Sequence, residues 1–323
     1  MLFFMFFYNL QGKNNAFSER FCNFVVAKTI KTMFMKKSFF IFLIFLMTSL
    51  PQISYGQASG GALKRNVKNP TQTTSAPANP TNQSNPTTTS PSAPSLTFTV
   101  GGVSFKMIRV EGGTFTMGAT SEQGSDAEND EKPAPHVTLS SYHIGETEVT
   151  QALWEAVMGS NPSDFKGADR PVEQVSWDDC QTFIRKLNAM TGKTFRLPTE
   201  AEWEFAARGG NRSKGYKYSG GNTLGNVAWY GDNSGNETHD VKTKSPNELG
   251  IYDMSGNVYE WCQDWYGDYS SSSQTNPAGP SSGSIRVLRG GSWYLLAWFC
   301  RVSSRLSSPP GNRVGSLGLR LAL

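Results

Sequence analysis

Residues Arg289 to Leu323 read RGGSWYLLAWFCRVSSRLSSPPGNRVGSLGLRLAL, and two classes of residue alternate along them. One is a frame: Arg289, Gly290, Gly291, Ser292, Trp293, Trp298, Cys300, Arg301, Arg305, Asn312, Arg313, Arg320 and Leu321. The other is a set of short runs between frame members: Tyr294-Leu295-Leu296, Phe299, Leu306-Ser307-Ser308 and Val314-Gly315-Ser316-Leu317. The runs have neither the 3.6-residue period of an amphipathic helix nor the alternation of a strand. They read as side chains held out for contact on a frame that folds without them.

Working outward, the chain of 323 residues fits one principal domain with additional segments, because single cores rarely grow past about 250–300 residues. Its net charge of +4 is misleading. Residues 1–56 hold six of the 30 basic residues and one of the 26 acidic ones, so the remainder is close to neutral. No electrostatic footprint for nucleic acid is left. Abundant glycine (32 residues), 12% aromatics and 17% charged residues point to a loop-rich, aromatic-packed domain.

Lys36-Lys37, the apolar run Ser38 to Leu50 and the small-residue end Ser54-Tyr55-Gly56 form a signal peptide, about 36–56, within a leader over 1–56. Its apolar core is too short for the ~20 residues a bilayer span needs, so no stable membrane span is expected in the mature chain. Export to the periplasm, the cell surface or the medium follows. Met33 or Met35 fits the true start. Residues 57–95 are rich in Thr, Pro, Ser and Asn and read as a disordered linker. The folded domain spans 96–323.

Short apolar stretches broken by Gly101-Gly102 and Gly112-Gly113 predict a hairpin-like start, and Val137 to Ile144 predicts one further strand. Three helices are signalled: Gln151 to Met158 after Thr150, Trp177 to Met190 after Ser176, and Glu200 to Arg208 after Thr199. Thr199 and Glu202 have the spacing of a capping box. Ser121 to Lys132 is acidic and reads as an exposed, solvated loop. Cys22 falls in the leader, leaving Cys180, Cys262 and Cys300; if a bridge forms, Cys262–Cys300 is the expected pair.

Four stretches carry a resemblance: GGTFTMG at 112–118, RLPTEAEWE at 196–204, NELGIYDMSGNVYEW at 247–261, and RGGSW at 289–293 with Cys300-Arg301 and the closing Gly318-Leu319-Arg320. In this order they resemble the formylglycine-generating enzyme (sulfatase-modifying factor) domain family over about residues 104–323. The resemblance implies an α+β fold, a loop-rich variant of the C-type lectin fold with few short helices and strands. The family's oxidases hold copper on two cysteines after the GGS turn. Aligned on Gly290-Gly291-Ser292, one falls on Cys300 and the other on Leu295. Copper(I) needs soft thiolates and Leu offers none, so copper is not expected. Cys300 is the catalytic candidate only if an oxidase survives; otherwise it is a buried hydrophobe.

The resemblance also implies a structural calcium held by Asp253 and Glu260 side chains and the carbonyls of Gly256 and Val258, hard oxygens in a glycine-containing loop. The alternative is a turn in which Asn257 and Glu260 bond the backbone. An iron triad from His136, His143 and His239 is not expected.

The runs themselves resemble the variable proteins of diversity-generating retroelements. Randomising both adenines of an Asn codon never yields Trp, Lys, Glu, Gln or Met, and every run residue lies inside the permitted set. This implies a ligand-binding surface on Tyr294, Leu295, Leu296, Trp298, Phe299, Leu306, Ser307, Ser308, Val314, Ser316 and Leu317, for a protein or glycan partner. Ordinary drift in exposed loops is the alternative. Exposed together, Tyr294, Leu295, Leu296, Trp298, Phe299 and Leu306 would form an apolar contact patch. Three functions stand: an exported, non-catalytic binding or display protein; a formylglycine-generating oxidase; or a structural component of a cell-envelope assembly.

Overall fold

The computed structural model describes residues 95–323; the leader and residues 57–94 of the linker lie outside the described residues. Strand β1 (Leu96–Val100) turns through Gly101 and Gly102 into β2 (Val103–Val110). The two glycines have φ of 57° and 82° and close the hairpin between Val100 and Val103, the left-handed pair that a two-residue loop requires. β5 (Tyr142–Gly145) adds antiparallel to β2 and completes a three-stranded sheet. A second sheet joins β3 (Gly113–Thr116), β4 (His136–Leu139) and β7 (Gln274–Thr275).

The third sheet carries the C-terminal segment. Its order is β10 (Leu317–Gly318), β6 (Tyr259–Trp265), β8 (Arg286–Arg289) and β9 (Arg305–Ser308). The single strand expected over Val137–Ile144 breaks at Ser140-Ser141. Ser140 N donates to Asn276 Oδ1 (2.8 Å) and Ser141 Oγ accepts from Gly112 N (3.0 Å), so the chain leaves one sheet and enters another. His136 and His143 therefore sit on different sheets.

Helices α1 (Gln151–Met158), α2 (Trp177–Thr191) and α3 (Glu200–Ala207) start where their caps place them. Thr150 Oγ1 accepts from Leu153 N, and Ser176 with Asp179 and Thr199 with Glu202 form reciprocal capping boxes. Trp154 of α1 stacks on Phe183 of α2 at 4.9 Å. All eight residues of α3 are buried, and Trp203, Phe205 and Ala206 enter the main core beside Ile144, Val287 and Val302. Among the described residues, no helix is long and apolar enough to cross a membrane.

Burying α3 on every side puts Glu200 and Glu204 inside the protein, where each needs a cation. The C-terminal segment supplies them. Arg305 grips Glu200 with two bonds (2.6 and 2.8 Å), and Arg289 binds Glu204 and the Ser304 carbonyl. Arg301 forks onto Glu131 (2.6 and 2.8 Å), and Arg320 onto Glu260 (2.7 and 3.0 Å). All four arginines are buried. The loop Ser121 to Lys132 is thus not simply solvated: Gln123 and Glu131 are fully buried, because Glu131 must meet Arg301. Removing one partner leaves a charge stranded in the core. Arg301→Ala should therefore lower stability by about 3–5 kcal/mol, read as a shift in the urea midpoint.

Candidate functional site

The C-terminal segment begins at a corner that only glycine can make. Gly290 and Gly291 have φ of 99° and 77°, and a Cβ on Gly291 would lie 2.6 Å from Cys300 Sγ. The corner is sewn to the loop before β6 by its backbone. Gly256 N donates to Gly290 O (2.8 Å), Trp293 N donates to Asn257 O (2.8 Å), and Ser255 Oγ donates to Cys300 O (2.7 Å).

The exposed apolar patch expected from five run residues and Trp298 is not formed. Leu295, Phe299 and Leu306 are 4%, 6% and 7% exposed, and Ser308, Ser316 and Leu317 are buried with them. Local geometry accounts for each. Leu295 closes a turn on Ser292 O while its carbonyl takes Gly231 N (2.8 Å). A single 3-10 turn, Ala297–Cys300, rolls Phe299 inward. Leu306 and Ser308 are strand residues paired with Leu288 and Arg286, and Leu317 pairs with Tyr259. Leu296 is 40% exposed, and Tyr294, Trp298, Ser307 and Val314 are half-buried. Four of these, with half-buried Gly315, are the part of the runs a partner can reach, and Trp298 of the frame lies among them.

Trp293 joins the two ends of this surface. Its ring meets Tyr294 edge-on (5.1 Å) and Phe165 edge-on (5.2 Å), and its Nε1 donates to Gly315 O (2.8 Å).

Cys300, the catalytic candidate, lies inside the protein. It is fully buried, and burial pushes its thiol up to about 12. Cys180, Cys262 and Cys300 are all free, and the expected Cys262–Cys300 bridge is not formed. Cys262 lies in the main core, whereas Cys300 packs in a smaller cluster with Tyr218, Leu224 and Ala228.

In the segment where calcium is expected, the two carboxylates have different partners. Glu260 Oε1 accepts two bonds from Arg320, and Oε2 accepts one from Arg320 Nε (3.0 Å) and one from Trp203 Nε1 (2.6 Å). Arg320 Nε shares its one hydrogen between the two oxygens, so three N–H donors hold this carboxylate in its ion pair. Asp253 keeps one buried oxygen, Oδ1, without a hydrogen bond, while its Oδ2 accepts from Lys242 N (2.8 Å). Glu148, which lies among these acids, accepts from Asn257 Nδ2 (2.8 Å) and Val258 N (3.0 Å). Of the alternative, Asn257 does bond backbone, accepting from His239 N (3.0 Å) and donating to His239 O (3.1 Å), whereas Glu260 bonds side chains. Elsewhere Glu128, Asp130 and Glu131 come together, but Glu131 is committed to Arg301 and Asp130 accepts from Tyr266 Oη (2.7 Å). His239 stacks on Trp229 at 3.7 Å.

A loop-rich α+β domain with a GG corner, an RLPTEAEWE helix and a C-terminal segment locked by arginines defines a class, and the comparisons with known proteins agree. Residues 102–323 match the sulfatase-modifying factor enzyme 1-like domain, and the chain belongs to that family. It is 33% identical over 284 residues to the formylglycine-generating enzyme of Streptomyces coelicolor, covering 67% of this chain and 88% of that one. Among solved structures it is similar to Treponema denticola variable protein 1, with a TM-score of 0.64 and 41% identity over 71% of this chain and 98% of that one. PvdO from Pseudomonas aeruginosa aligns with a TM-score of 0.58 and 28% identity, over 67% of this chain and 93% of that chain.

Sequence reasoning missed Glu131, Glu200 and Glu204 as partners of the arginines. For α3 a signal existed, since EAEWEFAA has no polar face to give to water. For Glu131, in an acidic run, none did.

Exchange of single residues should separate surface from core. Leu295→Ala should cost about 2–5 kcal/mol, whereas Leu296→Ala should stay within about 0.5 kcal/mol, both by chemical denaturation. Burial also pushes Asp264 up to about 8 and Asp253 to about 6. Between the unfolded value and these, the folded state holds protons that the unfolded state has lost. Stability should therefore fall as pH rises from about 5 to 8. Asp264→Asn should remove part of that slope in thermal melts.

Proposed function

We propose that this chain is an exported, non-catalytic binding protein whose C-terminal segment displays replaceable side chains to a protein or glycan partner. One observation carries the reading. The segment is fixed by Arg289, Arg301, Arg305 and Arg320 on carboxylates outside it, and none of these four arginines belongs to a run. The accessible run residues can then change without unlocking the frame. The place of the second oxidase thiol is taken by Leu295, and the remaining thiol is inside the core. The 41% identity to a chain described as a variable protein supports the same reading. The signal peptide would carry the domain out of the cell, and residues 57–95 would hold it away from its attachment.

Two measurements test this. The surrounding DNA should contain a near-copy of the codons for residues 289–323 that differs at adenines and lies beside a reverse-transcriptase gene; its absence returns the runs to drift. Oxygen uptake with copper(I) and a cysteine-containing sulfatase peptide should be nil. Uptake that disappears in Cys300→Ser would overturn the non-catalytic reading in favour of the oxidase.

A further inference from the structure

One buried carboxylate near the accessible run residues has an oxygen that the fold leaves unpartnered. Glu173 is fully buried in the segment between α1 and α2. Its Oε1 accepts from Phe165 N (2.9 Å), but its Oε2 has no hydrogen-bond partner. A buried carboxylate oxygen left so is costly. It lies beneath Gly315, in a run. A first side-chain atom at position 315 would stand 3.4 Å from Glu173 Oε2, 3.6 Å from Asp164 Oδ2 and 3.9 Å from Gln174 Nε2. Two carboxylates therefore converge on the spot that glycine leaves bare.

The surroundings are those of an organic cation's seat. Trp293 holds Gly315 O through its indole N–H, and Phe165 packs edge-on against Trp293, so aromatic rings flank the acids. Gln174, beside Glu173, is held at φ 62° and donates its backbone N–H to Val314 O (3.2 Å) and its side-chain amide to Asp164 Oδ2 (2.5 Å). A non-glycine residue in the left-handed region is held there by its surroundings. Lys166 is the nearby cation, and its ammonium is spent on Asn161 O (2.8 Å). Arg313, ahead of the run, is paired with Asp179 (2.5 and 2.8 Å). Two carboxylates, one already bonded by Gln174, fall short of the six to eight oxygens calcium takes.

We infer that the pair of carboxylates beside Gly315, Glu173 and Asp164, is a subsite for one cationic nitrogen group of the partner, a lysine ammonium or an arginine guanidinium. The inference rests on the display reading and adds the chemistry of the contact. The cation would slip between Asp164 and the Trp293 edge and supply Glu173 Oε2 with its missing donor. Burial pushes the Glu173 carboxyl up to about 7, with Asp164 adding to the rise and Lys166 opposing it. Binding must draw that proton off, so affinity rises with pH.

The test follows the Trp293 indole N–H by NMR in the full chain. Methylguanidinium and butylammonium chloride are titrated against methylurea, a neutral control, and calcium chloride. Both cations should give a saturable shift, several-fold tighter at pH 8 than at pH 6, and methylurea none. Glu173→Gln should weaken the binding about tenfold, the scale of a charge-assisted hydrogen bond. Gly315 has no left-handed φ, so Gly315→Leu should fold with an unchanged melting temperature and lose the shift. Equal shifts in the two variants, an equal response to methylurea, or saturation by calcium instead would each overturn the proposal. A guanidinium-only response would assign the subsite to arginine, an ammonium-only response to lysine. The display reading fails separately, through the codon comparison, and that failure leaves this titration unaffected.

Discussion

A guanidinium buried against a carboxylate is the constraint on which this domain depends. Such a pair gains little over a well-packed apolar contact, but it is severe about geometry: a fork must meet a fork, and a missing partner is expensive. Four of these pairs tie residues near the C-terminus to α3, to the loop at Glu131 and to β6. The consequence is a backbone path specified by a few distant side chains. Most of its length is then free of local requirements, which is why a segment with almost no regular structure still has a defined course.

Much of this was legible in the sequence, for physical reasons. Helix starts follow from a hydroxyl or carboxylate beside the first turn, a purely local effect, and Thr150, Ser176 and Thr199 all cap as their spacing predicts. The GG pairs at 101–102 and 290–291 mark backbone that only glycine adopts readily. The family was legible too, because its motifs encode these turns and pairs. Exposure of individual run residues was not. Whether Leu295 or Leu296 points outward depends on Gly231, a residue over sixty positions away that takes the Leu295 carbonyl. The strand expected to run from Val137 to Ile144 failed for a similar reason: Asn276 and Gly112 intercept its middle.

The calcium expectation shows how one charge redirects a loop. Asp253 and Glu260 both oppose the ionisation of Glu148, and Arg320 sits among them. The guanidinium grips both oxygens of Glu260, so a side chain of the protein's own C-terminal strand region organises the loop. The same arginine also binds the carbonyls of Gly145 and Tyr252 (2.9 and 2.8 Å), so it does the spatial work of a multidentate ion.

The three buried, unbridged thiols have a practical side. A domain held by ion pairs and packing, with no sulfur–sulfur link among its described residues, has no need of an oxidising compartment to reach its native state. It can mature in a reducing cytosol as readily as outside the cell. Dithiothreitol should leave it untouched, and thiol reagents should stay silent until the protein unfolds, which makes alkylation a clean clock for its opening.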